Sequence, residues 1–222
     1  ARGHRVHRAC LVNDRGVHIM KSMLAYAKFG NNTTPQSEGI KGDHVVGHWY
    51  VIFAQKVQAE REALGLADDQ PTPLELEAAD WLRKWEANDP EVRALWTKMT
   101  DWVLAGFQES YATMGVAFAR EYRESDIYEE GRRIVADGLA RGVCTKDERG
   151  NTVAPLKERF GMDDKVVERA DGTTVYATQD LALAVRKDAD LHPDRSVIMT
   201  GNEQDFYFRQ LFAIFQLLDL PS

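Results

Sequence analysis

The middle of the chain, residues 43–122, most constrains the fold, because its apolar residues recur at helical spacing and never alternate with period two. Pro71, Pro73 and Pro90 separate three apolar stripes. A segment of this kind cannot supply strands to a sheet, so we predict a mostly helical block here. The stripes are Val46, Tyr50, Phe53 and Val57; Leu74, Ala78, Trp81 and Trp85; and Val92, Leu95, Met99, Trp102, Val103 and Phe107.

The residues on both sides of this block have an α/β pattern. Residues 5–12 predict a buried strand, and Val17, Met20 and Leu24 predict a helix that ends at Gly30, with Asp14 placed to cap its start. Residues 31–43 have the composition of a surface loop. After the block we predict helix 125–141 and a hairpin around residues 148–150. Strands 165–169 and 173–176 should follow, joined by an Asp-Gly turn with two positive φ angles. The chain should then form helix 178–187, strand 196–199 and a last helix that buries Phe208, Leu211, Phe212, Phe215 and Leu218.

Composition excludes several classes of protein. Lys and Arg number 28 against 35 Asp and Glu, and the resulting charge of -7 gives no support to a generally basic surface for nucleic acid. The two cysteines, Cys10 and Cys144, are too few for a disulfide framework and lack metal-ligand spacing, which favours the cytoplasm. No apolar run approaches the roughly 20 residues needed to cross a bilayer, so no membrane contact is expected.

Two strand ends are weak candidates for a ligand site. Ligands of open α/β sheets bind beyond the carboxyl ends of the strands. Asp14 and Gly16 follow the first strand, but a capping role for Asp14 is favoured over catalysis. Gly201 and Glu203 follow the last predicted strand, where Gly201 allows close backbone approach and Glu203 could accept hydrogen bonds from ribose hydroxyls. A first-turn acid that stabilises the helix dipole explains Glu203 equally well.

Tyr176 and Asp180 form the third candidate. We predict Tyr176 at a strand end and Asp180 in the first turn of the helix that follows, so a phenol and a carboxylate would face one place. Such a pair suits a planar cation such as guanidinium, because a carboxylate accepts two parallel N–H bonds and the ring supplies a stacking face. From spacing alone, a purely structural explanation is somewhat favoured. In it Tyr176 is a half-buried strand residue, and Asp180 is an acid that stabilises the dipole in the first turn of the helix.

A metal site is not predicted. His44 and His48 lie one helical turn apart with Asp43 beside them, but two imidazoles next to Trp49 and Tyr50 are more typical of packing. The sequence contains no Gly-rich phosphate loop, no G-x-S-x-G elbow and no Cys/His nucleophile pair, which argues against hydrolase mechanisms.

Five ordered blocks together resemble the catalytic domain of bacterial-type arginyl-tRNA synthetases, from about Val12 to Leu220. No single block decides the resemblance. The blocks are VNDRGVHIMKSMLAYAKFG, TPQSEGIKGDHVVGHWYV, RESDIYEEGRRIVADGLARGV, DDKVVERADGTTVYATQDLALAVR and TGNEQDFYFRQLFAIFQLLDL.

The resemblance implies a class I ligase that joins the arginine carboxylate to the α-phosphate of ATP and then passes the arginyl group to its tRNA. It implies a Rossmann-like parallel nucleotide-binding sheet, with residues 1–42 and 123–222 in the catalytic domain and residues 43–122 as the helical insertion. Tyr176, Asp180 and Gln204 match the arginine-binding positions, and Gly201 and Glu203 match nucleotide-binding positions. L-Arginine, ATP and arginine tRNA are the implied partners, Mg²⁺ would accompany ATP without a tightly bound metal, and no catalytic residue is assigned.

Departures from the family pattern qualify this implication. The HIGH-type signature expected before Asn13 and the KMSKS-type loop expected after Leu220 are not in the sequence, so we expect an incomplete catalytic domain that is inactive alone. Tyr207 stands where family members often carry His. Two alternatives stay open: a non-catalytic arginine-binding or interaction module, and an α/β domain used for a different nucleotidyl transfer.

Overall fold

A computed structural model describes residues 3–221 of the chain. The chain divides into two compact units, Ala1–Glu121 and Tyr122–Ser222. It has the predicted α/β fold: helices predominate, and a short parallel sheet is accompanied by an antiparallel one. The predicted division into residues 1–42, 43–122 and 123–222 stays a prediction.

The first unit is built mainly from helices. Each of its two later long helices begins where the sequence supplies a cap: Thr72 and Glu75 form a capping box ahead of Pro73, and Asp89 accepts hydrogen bonds from backbone N–H groups after Pro90. The elements of the unit are β1 (Ala9–Val12), α1 (Val17–Phe29), α2 (Pro35–Glu38), α3 (Gly42–Leu64), α4 (Pro73–Glu86) and α5 (Pro90–Met114). The boundary between the units falls within β2 (Arg120–Arg123), which pairs with β1.

The second unit combines helices with a three-stranded antiparallel sheet of order β3-β4-β5. One apolar core joins the sheet to the helices, and it includes Val135, Val167, Leu181, Leu211 and Phe215. The elements are α6 (Glu124–Ala140), β3 (Thr145–Lys146), β4 (Thr152–Ala154), α7 (Lys157–Phe160), β5 (Lys165–Glu168), α8 (Tyr176–Leu191), a 3₁₀ turn (Asn202–Gln204) and α9 (Asp205–Leu218).

Gly131 allows α6 to lie directly against α8. A Cβ atom at position 131 would come within 2.5 Å of the carbonyl oxygen of Thr178, which is shorter than any ordinary contact. Because the obstructing atom belongs to the backbone of α8, it cannot turn aside as a flexible side chain would. Glycine at position 131 therefore sets how closely the two helices approach.

The helices agree with the prediction better than the strands do. The predicted helical block contains the three helices α3, α4 and α5, but its last residues belong to β2. The predicted loop 31–43 contains the single-turn helix α2. The first strand is shorter than predicted, and within β1 only Val12 is buried. Asp14 does not cap α1, because the cap position is occupied by Gly16.

Two predicted strands are wrong. Thr174 makes one isolated bridge to Glu168, and Tyr176 already begins α8. In the connecting turn only Gly172 has a positive φ, of 80°, whereas the prediction gave a positive φ to both central residues. The Asp171 side chain accepts a hydrogen bond from the Thr173 N–H across this turn. Residues 196–199 form no strand, because no strand of residues 3–221 pairs with them, and Met199 is 94% exposed.

Candidate functional site

The first turn of α8 is fixed by the buried Thr178. Its hydroxyl accepts the backbone N–H of Val175 at 3.2 Å and donates to the carbonyl oxygen of Val167 on β5. Gln179, also buried, donates to the hydroxyl of Thr174 at 3.2 Å. These hydrogen bonds hold the beginning of the helix against the sheet and fix the positions of Tyr176 and Asp180.

Tyr176 and Asp180 lie four residues apart in α8 and therefore on one face of the helix. Tyr176 is 66% exposed, whereas Asp180 is half-buried. The structure thus places the two candidate residues one turn apart, although Tyr176 belongs to the helix and not to a strand end as predicted. An exposed aromatic ring next to a recessed carboxylate remains compatible with a cationic ligand.

Asp180 is held by Tyr207, the third residue of α9. The Tyr207 hydroxyl donates a hydrogen bond to Oδ2 of Asp180. Burial raises the pKa of Asp180, although the hydrogen bond from Tyr207 and the charge of Lys187 oppose that effect. The pKa of Tyr207 is also raised, first by burial and then by the facing carboxylate, so the phenol keeps its proton and is the donor.

Two lysines flank this pair. The Lys165 ammonium lies 5.3 Å from the centroid of the Tyr207 ring, within the range of a cation–π contact. Lys187 lies two turns after Asp180 in α8, and its Nζ donates to the hydroxyl of Ser196 at 3.3 Å. Burial lowers the pKa of Lys187, and the Asp180 charge opposes this. The Asp180 carboxylate is therefore partly removed from water, and the charge of Lys187 offsets part of the cost.

A small cavity of about 80 Å³ lies between α8 and α9 and the segment that connects them, with Asp180, Lys187 and Ser196 among its polar walls and Phe212 and Phe215 among its apolar walls. The cavity is large enough to admit water, since about 10 to 15 Å³ of space for water-sized probes holds one molecule.

The other predicted residues lie at the 3₁₀ turn ahead of α9 and are exposed. Gln204 ends the 3₁₀ turn ahead of α9 and is exposed, and the described part of the chain shows no hydrogen bond between its side chain and Tyr176 or Asp180. Gly201 and Glu203 are also exposed, and the Glu203 carboxylate lies over Gly201, where a Cβ would be 2.4 Å from either oxygen. Their assignment to the nucleotide stays a prediction.

Sequence reasoning did not connect Tyr207 or the two lysines to Asp180. Lys187 was detectable, because a spacing of seven residues in a helix returns to nearly the same face. Tyr207 and Lys165 were not, because only the packing of α9 against α8 and β5 brings them close.

The remaining candidates lie in the first unit and have structural contacts. Asp14 is buried, and its backbone carbonyl accepts the indole N–H of Trp96 at 2.6 Å. The next residue, Arg15, is paired with Glu86. His48 packs edge-to-face on Trp49, with ring centroids 5.4 Å apart. Within residues 3–221, no group of three or more His, Cys, Asp or Glu side chains could hold a metal ion.

No helix within the described residues is both long and apolar enough to span a lipid bilayer.

Comparison with known proteins adds the following findings. The model of the family described as "tRNA synthetases class I (R), catalytic domain" matches residues 1–221. An arginine–tRNA ligase from Bacteroides thetaiotaomicron is 46% identical over 224 residues, and one from Phocaeicola vulgatus is 44% identical over 232 residues. Each alignment covers 98% of this chain but only 37% and 38%, respectively, of the relative. The chain therefore spans well under half the length of these relatives.

A solved structure shows the same fold. The crystal structure of arginyl-tRNA synthetase from Plasmodium falciparum superposes with a TM-score of 0.66 at 16% identity, over 97% of this chain and 34% of that one.

Proposed function

Since the chain belongs to the family of class I tRNA synthetase catalytic domains of the arginine type, we propose that it forms part of an arginine–tRNA ligase. That enzyme would activate L-arginine with ATP and transfer the arginyl group to arginine tRNA. The observation that carries this proposal is the recessed carboxylate of Asp180, one turn from the exposed ring of Tyr176. The match to the family extends over residues 1–221, so a non-catalytic binding module is not favoured.

The role of these residues in the reaction is to bind and orient arginine. The Asp180 carboxylate would pair with the guanidinium, and the ring of Tyr176 would cover one of its faces. Gln204, at the start of α9, would supply a further hydrogen bond. Holding the substrate in a fixed orientation makes the α-carboxylate available to the α-phosphate of ATP, and positioning of this kind supplies much of the rate enhancement in such reactions.

ATP is the second substrate of the proposed enzyme, and Gly201 and Glu203 would contact its adenosine. Mg²⁺ would arrive with the ATP phosphates. The tRNA would be bound largely by parts of the enzyme outside this chain, in keeping with the net charge of -7. The free thiols of Cys10 and Cys144 are compatible with work in the cytoplasm.

Discrimination against lysine would follow from the different shapes of the two cations. A guanidinium presents five N–H donors in a plane, whereas an ammonium is a compact point charge. Lysine would leave acceptors of Asp180 and Gln204 unpaired when they are covered by the ligand, at about 1 to 3 kcal/mol for each. We therefore expect Gln204→Ala to reduce the preference for arginine over lysine more than it lowers the rate with arginine.

Asp180→Asn in the complete synthetase that carries this segment tests the proposal. The amide keeps the shape but removes the charge, so we expect arginine binding to weaken by about 2 to 5 kcal/mol while the KM for ATP stays unchanged. Asp190→Asn, at the exposed end of the same helix, is the matched control and should leave both constants unchanged. An unchanged arginine KM in the Asp180 variant would show that this carboxylate does not bind the guanidinium.

A further inference from the structure

The contact between Tyr207 and Asp180 has no role in the function proposed above. Tyr207 lies in the first turn of α9, and Asp180 lies in the second turn of α8. Within the second unit, the hydrogen bond between their side chains links the two helices where the site is predicted.

The direction of this hydrogen bond follows from the chemistry of its partners. A phenol has one proton to donate, and an ionised carboxylate can only accept. Burial and the facing carboxylate both hold the proton on Tyr207. The bond therefore engages Oδ2 of Asp180, while Oδ1 keeps its capacity to accept hydrogen bonds.

The Tyr207 ring is itself fixed from two directions. The Lys165 ammonium lies 5.3 Å from its centroid, and the ring of Phe208 packs edge-to-face against it with centroids 5.2 Å apart. A ring held in this way gives its hydroxyl a defined position. Lys187 and the hydrogen bond from Tyr207 oppose the effect of burial on Asp180 without outweighing it, while Lys165 lies over the Tyr207 ring and Glu124 acts on the Tyr207 phenol.

We propose that Tyr207 is a positioning residue of the arginine site, which holds one oxygen of Asp180 so that the other is presented to the guanidinium. This inference rests on the proposed function, because it takes Asp180 to be the arginine-binding carboxylate. Tyr207 acts through Asp180 and is not itself required to touch arginine. A carboxylate oriented before the ligand arrives loses less conformational freedom on binding, and the affinity rises accordingly.

The test uses three variants of the complete synthetase and separates binding from turnover. Tyr207→Phe removes only the hydroxyl and leaves the ring beside Lys165. It should raise the KM for arginine up to about tenfold, because arginine must then order the Asp180 side chain when it binds. Both kcat and the KM for ATP should stay within about twofold. Tyr207→His restores an N–H donor and should recover part of the arginine affinity, and Tyr50→Phe removes an exposed phenol from α3 as the matched control.

A double variant separates the role of Tyr207 from the arginine-binding role of Asp180. If Tyr207 acts through Asp180, then adding Tyr207→Phe to Asp180→Asn should raise the arginine KM no further. A normal arginine KM in Tyr207→Phe, together with a strong effect of Asp180→Asn, would overturn this inference and leave the proposed function standing. No effect of Asp180→Asn would overturn both. An equal loss for arginine, ATP and kcat in Tyr207→Phe would show a purely structural role and would also overturn the inference.

Discussion

Arg93 places its guanidinium carbon 3.6 Å from the centroid of the Trp85 ring, and its Nε donates a 2.8 Å hydrogen bond to the Trp85 carbonyl oxygen. One side chain of α5 thus stacks on the last turn of α4 and also satisfies a carbonyl group there. Trp85 is fully buried and packs edge-to-face against Trp96. The two helices are thus joined at this point by a planar cation that makes both contacts.

We expect Arg93→Lys to destabilise the first unit by about 1 to 2 kcal/mol, because lysine keeps the charge but neither stacks flat on the indole nor reaches the carbonyl in the same geometry. Urea denaturation followed by tryptophan fluorescence measures the loss. The exposed Arg83→Lys, on α4, is the control and should change the free energy of unfolding by less than about 0.5 kcal/mol. Equal effects of the two changes would contradict the role of stacking.

The pH dependence of stability should reveal the burial of Asp180. Its pKa is raised from an ordinary value of 3.8, so the folded chain holds this proton to higher pH than the unfolded chain does. The contribution of Asp180 to the free energy of unfolding is therefore greatest below pH 3.8 and is lost as the pH rises through the folded-state pKa. Asp180→Asn cannot ionise, so its stability relative to the wild type should increase between acid and neutral pH.

Asp147→Asn should show the opposite dependence. Hydrogen bonds from Asn151 lower the pKa of Asp147, and this stabilisation is present above 3.8 and is lost as the pH falls through the lowered folded-state pKa. The Asp147 variant should therefore lose stability relative to the wild type as the pH rises. Denaturation curves of both variants at several pH values measure the two slopes, and slopes of the same sign would contradict the burial argument.

Arginyl-adenylate formation should not occur with the 222-residue chain alone. Its sequence contains neither a HIGH-type nor a KMSKS-type motif, and the charge that develops on the phosphates needs preorganised donors. We expect no ATP–pyrophosphate exchange above background with arginine present. Exchange that persists after contaminating synthetase has been excluded would refute this prediction.

Replacing His44 and His48 with Gln should not alter metal content or the response to chelators. His44 is exposed and lies 3.9 Å from Asp43, and His48 packs on Trp49, so the two imidazoles have contacts typical of a helix surface. Elemental analysis of the purified protein gives the measurement. Stoichiometric zinc that disappears in the double variant would contradict the packing role.

Local signals explain which elements could be predicted from the sequence. The helices α4 and α5 carry their own evidence, because Thr72 and Asp89 cap them and their apolar residues recur at helical spacing. A strand carries no such evidence, because it needs a neighbour. Residues 196–199 have the apolar composition of a strand, but among the described residues they have no strand to pair with.

In the candidate site, too, contacts between residues close in sequence could be predicted, whereas contacts between residues far apart in sequence could not. The one-turn spacing of Tyr176 and Asp180 can be read directly from the sequence. Tyr207 lies 27 residues beyond Asp180, and only the packing of two helices reveals their contact. The resemblance assigned no role to Tyr207, so it gave no guide to this contact.

Gly131 makes the candidate site sensitive to a position that no ligand would touch. Any larger residue there would push against the carbonyl of Thr178 and displace the helix that carries Asp180. Exchanges at position 131 should therefore be tolerated only together with compensating changes in α8. In a mutational library of this chain, substitutions at position 131 should lower the affinity for arginine as well as the stability. A designer who seeks a tighter site should leave this glycine in place.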